Sequence, residues 1–251
     1  MRPAWSRARL TLRGASRPAV EGSRSLVLVP VGSLEQHGPH LPLGTDTMVA
    51  VASCRCVAER LAGEGVSVWV APAVEYGASG EHEDFPGTIS IGHQALRLML
   101  VELGRSACRW AGGLIFVNGH GGNDETVADA VLQLREEGRA VAWTSCATPG
   151  GDAHAGRAET SLLLALAPGL VDLDAAAAAE TEPIEELLPR LRRLGVRAVS
   201  PNGVLGDPTG ASAAEGRWFL ARIADRLHAE LSDIDVDRRG RLVAAARVGA
   251  P

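Results

Sequence analysis

Lysine is missing from this chain: all 25 of its basic residues are arginine, set against 30 carboxylates for a net charge of −5. That balance removes the electrostatic case for binding nucleic acid or an anionic membrane surface. Read with the abundant Ala and Gly, it points to a GC-rich coding bias rather than to a function. Long apolar runs are also lacking, and none approaches the roughly 18–20 residues that span a bilayer. Aromatic side chains are few, with three Phe and one Tyr, so an aromatic box around a planar ring is hard to build. The four cysteines, Cys54, Cys56, Cys108 and Cys146, fit neither a redox CxxC nor a zinc-ribbon spacing. Free thiols in a reducing cytoplasm are expected. Neither GxGxxG nor GxxxxGK[ST] occurs, which excludes the commonest nucleotide-binding loops.

What is present alternates. The 251 residues suffice for one large α/β domain. Residues 1–24 are Arg-rich with no apolar segment of a secretory signal, and are expected to form a loose N-terminal arm. Short apolar runs at Leu26–Val29, Val66–Ala71, Leu114–Val117 and Ala140–Thr144 have the continuous hydrophobicity of strands covered on both faces. Helical patterns fall at Thr47–Leu61, Gly92–Trp110, Asp124–Glu136, Thr160–Leu166 and Ile184–Leu194, with Asp174–Glu180 helical or linking. Ser212 and Glu215 open a last helix reaching about Leu231 with the spacing of a capping box. Beyond Asp233 a frayed tail is expected. The pattern predicts a single three-layer α/β/α domain over residues 25–233, with a mostly parallel sheet and its site along one sheet edge.

Chemistry-bearing residues follow the strands. Glu35 and His37 come just after the first apolar run and, two apart, point the same way in extended chain. Asp46 follows at the mouth of the next helix. Asn118-Gly-His120-Gly-Gly-Asn123 sets a histidine at the end of the third strand. Its glycines suit close approach to a phosphate or to a metal, and histidine favours the metal. His154 and Glu159 lie in the loop after the fourth strand; a carboxylate at the start of a helix also suits the helix dipole. Glu35, His37, Asp46, His120 and Glu159 are too many ligands for one catalytic zinc, which takes about three. They suit two divalent metals (Zn, Fe or Mn) sharing one carboxylate, a pair that polarises a carbonyl and acidifies a water.

The stretches GSLEQHGPHLPLGTD, NGHGGN and DAHAGRAETS resemble the creatininase family of amide hydrolases over most of residues 25–230. The resemblance implies that Glu35, Asp46 and His120 hold one metal. His37, Asp46 as bridge and a further carboxylate would hold the other. Creatininase itself carries that carboxylate where this chain has Gly122, so Glu159 is expected to replace it, and creatinine is a poor expected substrate. His154 matches a histidine that contacts substrate and moves protons. Glu81 is expected to act beside it, with His82, Asn202 and Asp207 toward substrate, in long glycine-rich loops (Glu75–Thr88 and Ser200–Gly210) rimming the metals.

Tyr76-Gly-Ala-Ser-Gly-Glu-His82 and Val199-Ser-Pro-Asn-Gly-Val-Leu-Gly-Asp-Pro208 are similar to a branch of the family associated with mycofactocin maturation. Its members are peptidases, which implies release of a C-terminal dipeptide, Val-Tyr, from a modified precursor peptide. The alternative is a small-molecule amidohydrolase for a cyclic amide or formamide. A metal-free binding protein is a third reading, disfavoured because every ligand position holds a competent residue. The resemblance also implies a homo-oligomer, a hexamer.

Overall fold

The computed structural model describes residues 10–22, 24–148 and 150–244. Four strands, β1 (Leu26–Val31), β2 (Val68–Val70), β3 (Gly113–Asn118) and β4 (Val141–Ser145), form one sheet in the order β2-β1-β3-β4. Every pairing in it is parallel, with Leu28 opposite Ile115 and Phe116 opposite Trp143. The two-residue alternation of a strand divides β1 between two cores. Val27, Val29 and Val31 pack with Leu96, Leu100 and Leu134 from α3 (Gly92–Ala107) and α4 (Asp124–Glu136). Leu28 faces the other way, with Val57 and Leu61 of α2 (Thr45–Gly63), Leu162 of α5 (Arg157–Leu166) and Leu227 of α8 (Ala213–Ser232). Burial of both sheet faces explains the uninterrupted apolar runs and gives the three layers.

A smaller cluster, Leu187, Leu191, Val196, Val199 and Leu205 with Phe85, joins α6 (Ile184–Leu194) and α7 (Val196–Val199) to the loop that follows β2. Between α5 and α6 the chain makes short 3-10 turns at Pro168–Leu170 and Leu173–Ala175, so Asp174–Glu180 links rather than forming an α-helix. α8 starts as expected, Ser212 accepting the Glu215 N–H at 3.2 Å. The return half of the capping box is absent, because the Glu215 carboxylate pairs with Arg157 and Ser161. Ser161 Oγ takes the Ser212 N–H instead, at 3.1 Å.

Both sheet edges are covered by segments expected to be loose. Within the expected arm, α1 (Arg17–Val20) follows a stretch in which Thr11 bridges Val70, and Leu10 and Leu12 pack on the cores. At the other edge β5 (Asp235–Val236) pairs with β6 (Leu242–Val243), and Arg241 bridges Trp143. Leu242 is buried and Trp143 Nε1 donates to Arg239 O, which corrects the expectation of fraying over residues 235–243. Each edge strand is thus partly capped, β2 at Val70 and β4 at Trp143. The rest of the expected arm and tail, residues 1–9, 23 and 245–251, lies outside the described residues. No helix among the described residues is long and apolar enough to cross a membrane.

Candidate metal centre

The loops leaving the C-terminal ends of all four sheet strands meet at one buried cluster. From β1 come Glu35 and His37, both fully buried; from β3 comes His120; from β4 come His154 and Glu159; and from the long loop after β2 come Glu81 and His82. Asp46, in the first turn of α2, sits among them. Its Oδ1 lies 3.2 Å from His37 Nε2 and its Oδ2 lies 3.5 Å from His120 Nδ1. Glu35 Oε1 is 3.0 Å from His120 Nδ1, and Glu159 Oε2 is 3.9 Å from His37 Nε2.

Ring orientation is set from behind. His37 Nδ1 lies 3.1 Å from the Glu35 backbone oxygen, which can only accept, so Nδ1 carries the proton and Nε2 turns to the carboxylates. His120 has Glu81 Oε1 3.2 Å behind its Nε2. That position exists because residue 122 is glycine: a Cβ there would come within 2.4 Å of both Glu81 Oε1 and His120 Nε2. The side-chain-free position that departs from creatininase is therefore filled by a carboxylate from another loop. Asn118 and Asn123, which flank this motif, are spent on structure. Asn118 Nδ2 donates to His120 O and Asp124, while Asn123 ties Gly32 O to the Ala78 N–H.

Glu159 lies in the first turn of its helix, which starts three residues earlier than expected. α5 begins at Arg157, because the Asp152 carboxylate accepts the N–H groups of Arg157 and Ala158. Asp152 was not singled out from sequence, since an acid five residues before a helix gives no capping signal without the intervening turn. That turn holds Ala155 at φ 52, a left-handed conformation rare outside glycine. It aims the Ala155 N–H at Glu159 Oε2, 2.6 Å away.

Charge is unbalanced here. Burial favours neutral imidazole at His37, but Asp46, helped by Glu159 and Glu35, outweighs it and raises the pKa to about 10. At His120 burial is likewise overcome by Glu35, Glu81 and Asp46, and the pKa stands well above the usual value. Glu159 is pushed up to about 7 by burial, with His37 opposing and Asp46 and Glu35 adding to it. His82 and His154, buried beside other imidazoles, are held well below the usual histidine range. Four carboxylates, Glu35, Asp46, Glu81 and Glu159, thus converge where protons on His37 and His120 answer them. Both Glu35 oxygens, Asp46 Oδ2 and His120 Nε2 are buried without an aligned hydrogen bond, the Glu81 contact at Nε2 being one of charge. Orphaned carboxylate oxygens facing imidazole nitrogens fit divalent cations. Two groups, Glu35–Asp46–His120 and His37–His154–Glu159, have their ligand atoms within 4.8 Å of one another.

A family model described as creatinine amidohydrolase matches residues 15–231. The chain belongs to the creatininase family. The mycofactocin precursor peptide peptidase of Mycobacterium ulcerans is 57% identical over 203 residues, covering 79% of this chain and 81% of the relative. That of Mycolicibacterium smegmatis is 53% identical over 218 residues, covering 86% and 88%. A solved structure described as "Creatininase Mn" superposes with a TM-score of 0.71 at 27% identity, covering 86% of this chain and 95% of that one.

Of the residues singled out from sequence, Asn202 and Asp207 stay apart from this cluster. Asn202 Oδ1 accepts from Ser200 and from the Val204 N–H, and Asp207 accepts the Thr209 N–H, so both build their own loop. That loop does reach the creatininase-type cluster, through backbone. Gly203 O accepts from Gln36, and Leu205 pairs with His154. Gln36 itself had been passed over between its two acidic and basic neighbours. His40 had also been passed over; it is buried and paired with Thr160 Oγ1 at 2.9 Å, bracing α5 next to Glu159.

Proposed function

We propose that this creatininase-family protein is a binuclear metal-dependent peptidase that releases a C-terminal dipeptide from a mycofactocin-type precursor. The observation that carries the metal half is Asp46 standing between His37 and His120 with one oxygen toward each. Relatives at 57% and 53% identity that are named as precursor peptide peptidases support the peptide half.

In this reading Glu35, Asp46 and His120 hold one ion. His37, Asp46 and Glu159 hold the other. Bound there, divalent metals polarise the scissile carbonyl and make a water acidic enough to react near neutral pH. The chain supplies the rest. His154 lies beside these groups, its Nδ1 3.8 Å from Glu35 Oε1, and takes the proton that water loses before passing it to the departing nitrogen. Glu81 acts through His120, holding its ring, and is a positioning residue. The loops carrying His82 and Gly203 wall the cluster. Manganese, in the description of one similar structure, is one candidate metal, with zinc and iron. Family resemblance further suggests a homo-hexamer, and the free thiols suit the cytoplasm.

Mass spectrometry on a precursor ending in Val-Tyr is expected to show dipeptide release that stops on chelation and resumes on metal addition. An intact precursor alongside turnover of a cyclic amide or formamide would replace this reading with the small-molecule amidohydrolase.

A further inference from the structure

Gln36 is buried between Glu35 and His37 and has no part in the reading above. Its side-chain oxygen accepts the Gly38 N–H at 2.9 Å, which fixes which end of the amide is nitrogen. That nitrogen lies 2.8 Å from His82 Nδ1, 3.0 Å from Gly203 O and 3.1 Å from His154 Nε2. An amide nitrogen has two hydrogens for these three neighbours. Gly203 O accepts one. The backbone oxygen of Gln36 decides the other, because it sits 2.8 Å from His154 Nε2 and can only accept. His154 Nε2 must therefore carry a proton, and the second amide hydrogen goes to His82 Nδ1. Turning the amide round would set oxygen against Gly203 O and N–H against the Gly38 N–H. We infer that Gln36 fixes the tautomers of both histidines, leaving His82 to present an N–H, and His154 a bare nitrogen, to the cluster.

Both free ring nitrogens face Glu35 Oε1, His82 Nε2 at 3.4 Å and His154 Nδ1 at 3.8 Å, with ring centroids 4.5 Å apart. By distance alone Glu35, His82 and His154 form a further metal triad. A ring nitrogen that keeps its proton does not ligate, so Gln36 removes His82 from the ligand set and makes it a hydrogen-bond donor. Gly203 serves this arrangement: at φ 83 it takes a conformation natural to glycine, and a Cβ would fall 1.8 Å from Gln36 Oε1.

In amide hydrolysis the two histidines then divide the work. As the C–O bond forms, His154 Nδ1 takes one proton from water. As the C–N bond breaks, that proton moves to the leaving nitrogen. His82 Nε2–H hydrogen-bonds the carbonyl oxygen as it gains charge, and keeps its proton throughout. This division rests on the hydrolase reading, whereas the tautomers do not.

Long-range proton–nitrogen NMR of the imidazoles, in full-length protein labelled with ¹⁵N-histidine, reads the tautomers directly, both chelated and zinc-loaded. Protonated Nε2 is expected at His82 and at His154. In Gln36→Glu the carboxylate cannot donate, so the His82 proton should move to Nδ1 while His154, held by a backbone carbonyl, stays as it was. Activity on the precursor should fall about 10–100-fold. Gln36→Met, which neither donates nor accepts strongly, should leave His82 in a mixture of tautomers. A wild-type His82 protonated at Nδ1, or a His82 that stays Nε2-protonated in both variants, overturns the inference. If the wild type leaves the precursor uncut while the tautomers come out as expected, the peptidase reading fails and the role of Gln36 stands.

Discussion

Asp46 approaches a different histidine with each carboxylate oxygen, His37 Nε2 at 3.2 Å from Oδ1 and His120 Nδ1 at 3.5 Å from Oδ2. The two imidazoles come from loops on neighbouring strands, β1 and β3, so the register of the sheet sets their separation. A single side chain spanning them would couple the two proposed metal positions. Asp46→Ala is therefore expected to lose both metals and all hydrolysis, because neither Glu35 nor Glu159 reaches across the pair. Elemental analysis of the purified variant checks this. Full metal content with an unchanged rate would exclude a bridging role.

The same carboxylates make the chelated protein sensitive to alkali. His37, raised to about 10, and His120, raised further than its usual value, bind protons more tightly folded than unfolded. Their contribution to stability is complete below the ordinary histidine value of about 6.5 and is lost as pH rises through the folded value. His82 and His154 are shifted the other way, and their effect ends near that same ordinary value. From about pH 7 to about 9 the raised pair dominates, and above that the buried thiols Cys54 and Cys146, also raised by burial, add a fall that metal does not change. Calorimetry of chelated protein should show Tm falling across that window, and falling less with metal bound, since metal replaces the protons. Equal pH dependence with and without metal would count against His37 and His120 as ligands.

The fold was legible because its signals are local. Apolar runs of strand length, buried on both faces, give the parallel sheet, and α4 and α6 run over the residues their periodicity indicates. Much of the cluster was legible for a related reason: the sheet strands are all parallel, so the loops leaving their C-terminal ends, short or long, start from one edge and converge there. What stayed hidden depends on contacts between loops. Asp152 reaches α5 only because of the turn at Ala155, and Gln36 matters only because Gly203, from a loop more than 160 residues away, returns to meet it. Asn202 and Asp207, expected toward substrate, are held within their own loop. Polar side chains in glycine-rich loops are often consumed by the loop itself, as both are here.

Glu81 and Gly122 offer a test of how the chain adapted to lacking a carboxylate at position 122. The Glu81 carboxyl occupies the space a side chain at 122 would need, 3.2 Å behind His120 Nε2. Gly122→Ala should push Glu81 away and loosen His120, weakening metal binding by about 10–100-fold, the usual scale for a partner behind a ligand. Glu81→Ala should cost a similar factor by the same route. If the two act partly through one contact, the double variant should lose less than the product of the two single losses, because removing the Glu81 carboxyl relieves the contact at Glu81 Oε1 and leaves the one at His120 Nε2. Glu81→Gln keeps an oxygen beside His120 Nε2 but not the charge, and should recover part of the affinity. Competition with a chromogenic chelator measures all four variants without any substrate. Losses that simply multiply in the double variant would mean that Gly122 serves backbone packing, for instance against Ala78 O at 3.0 Å, independently of Glu81.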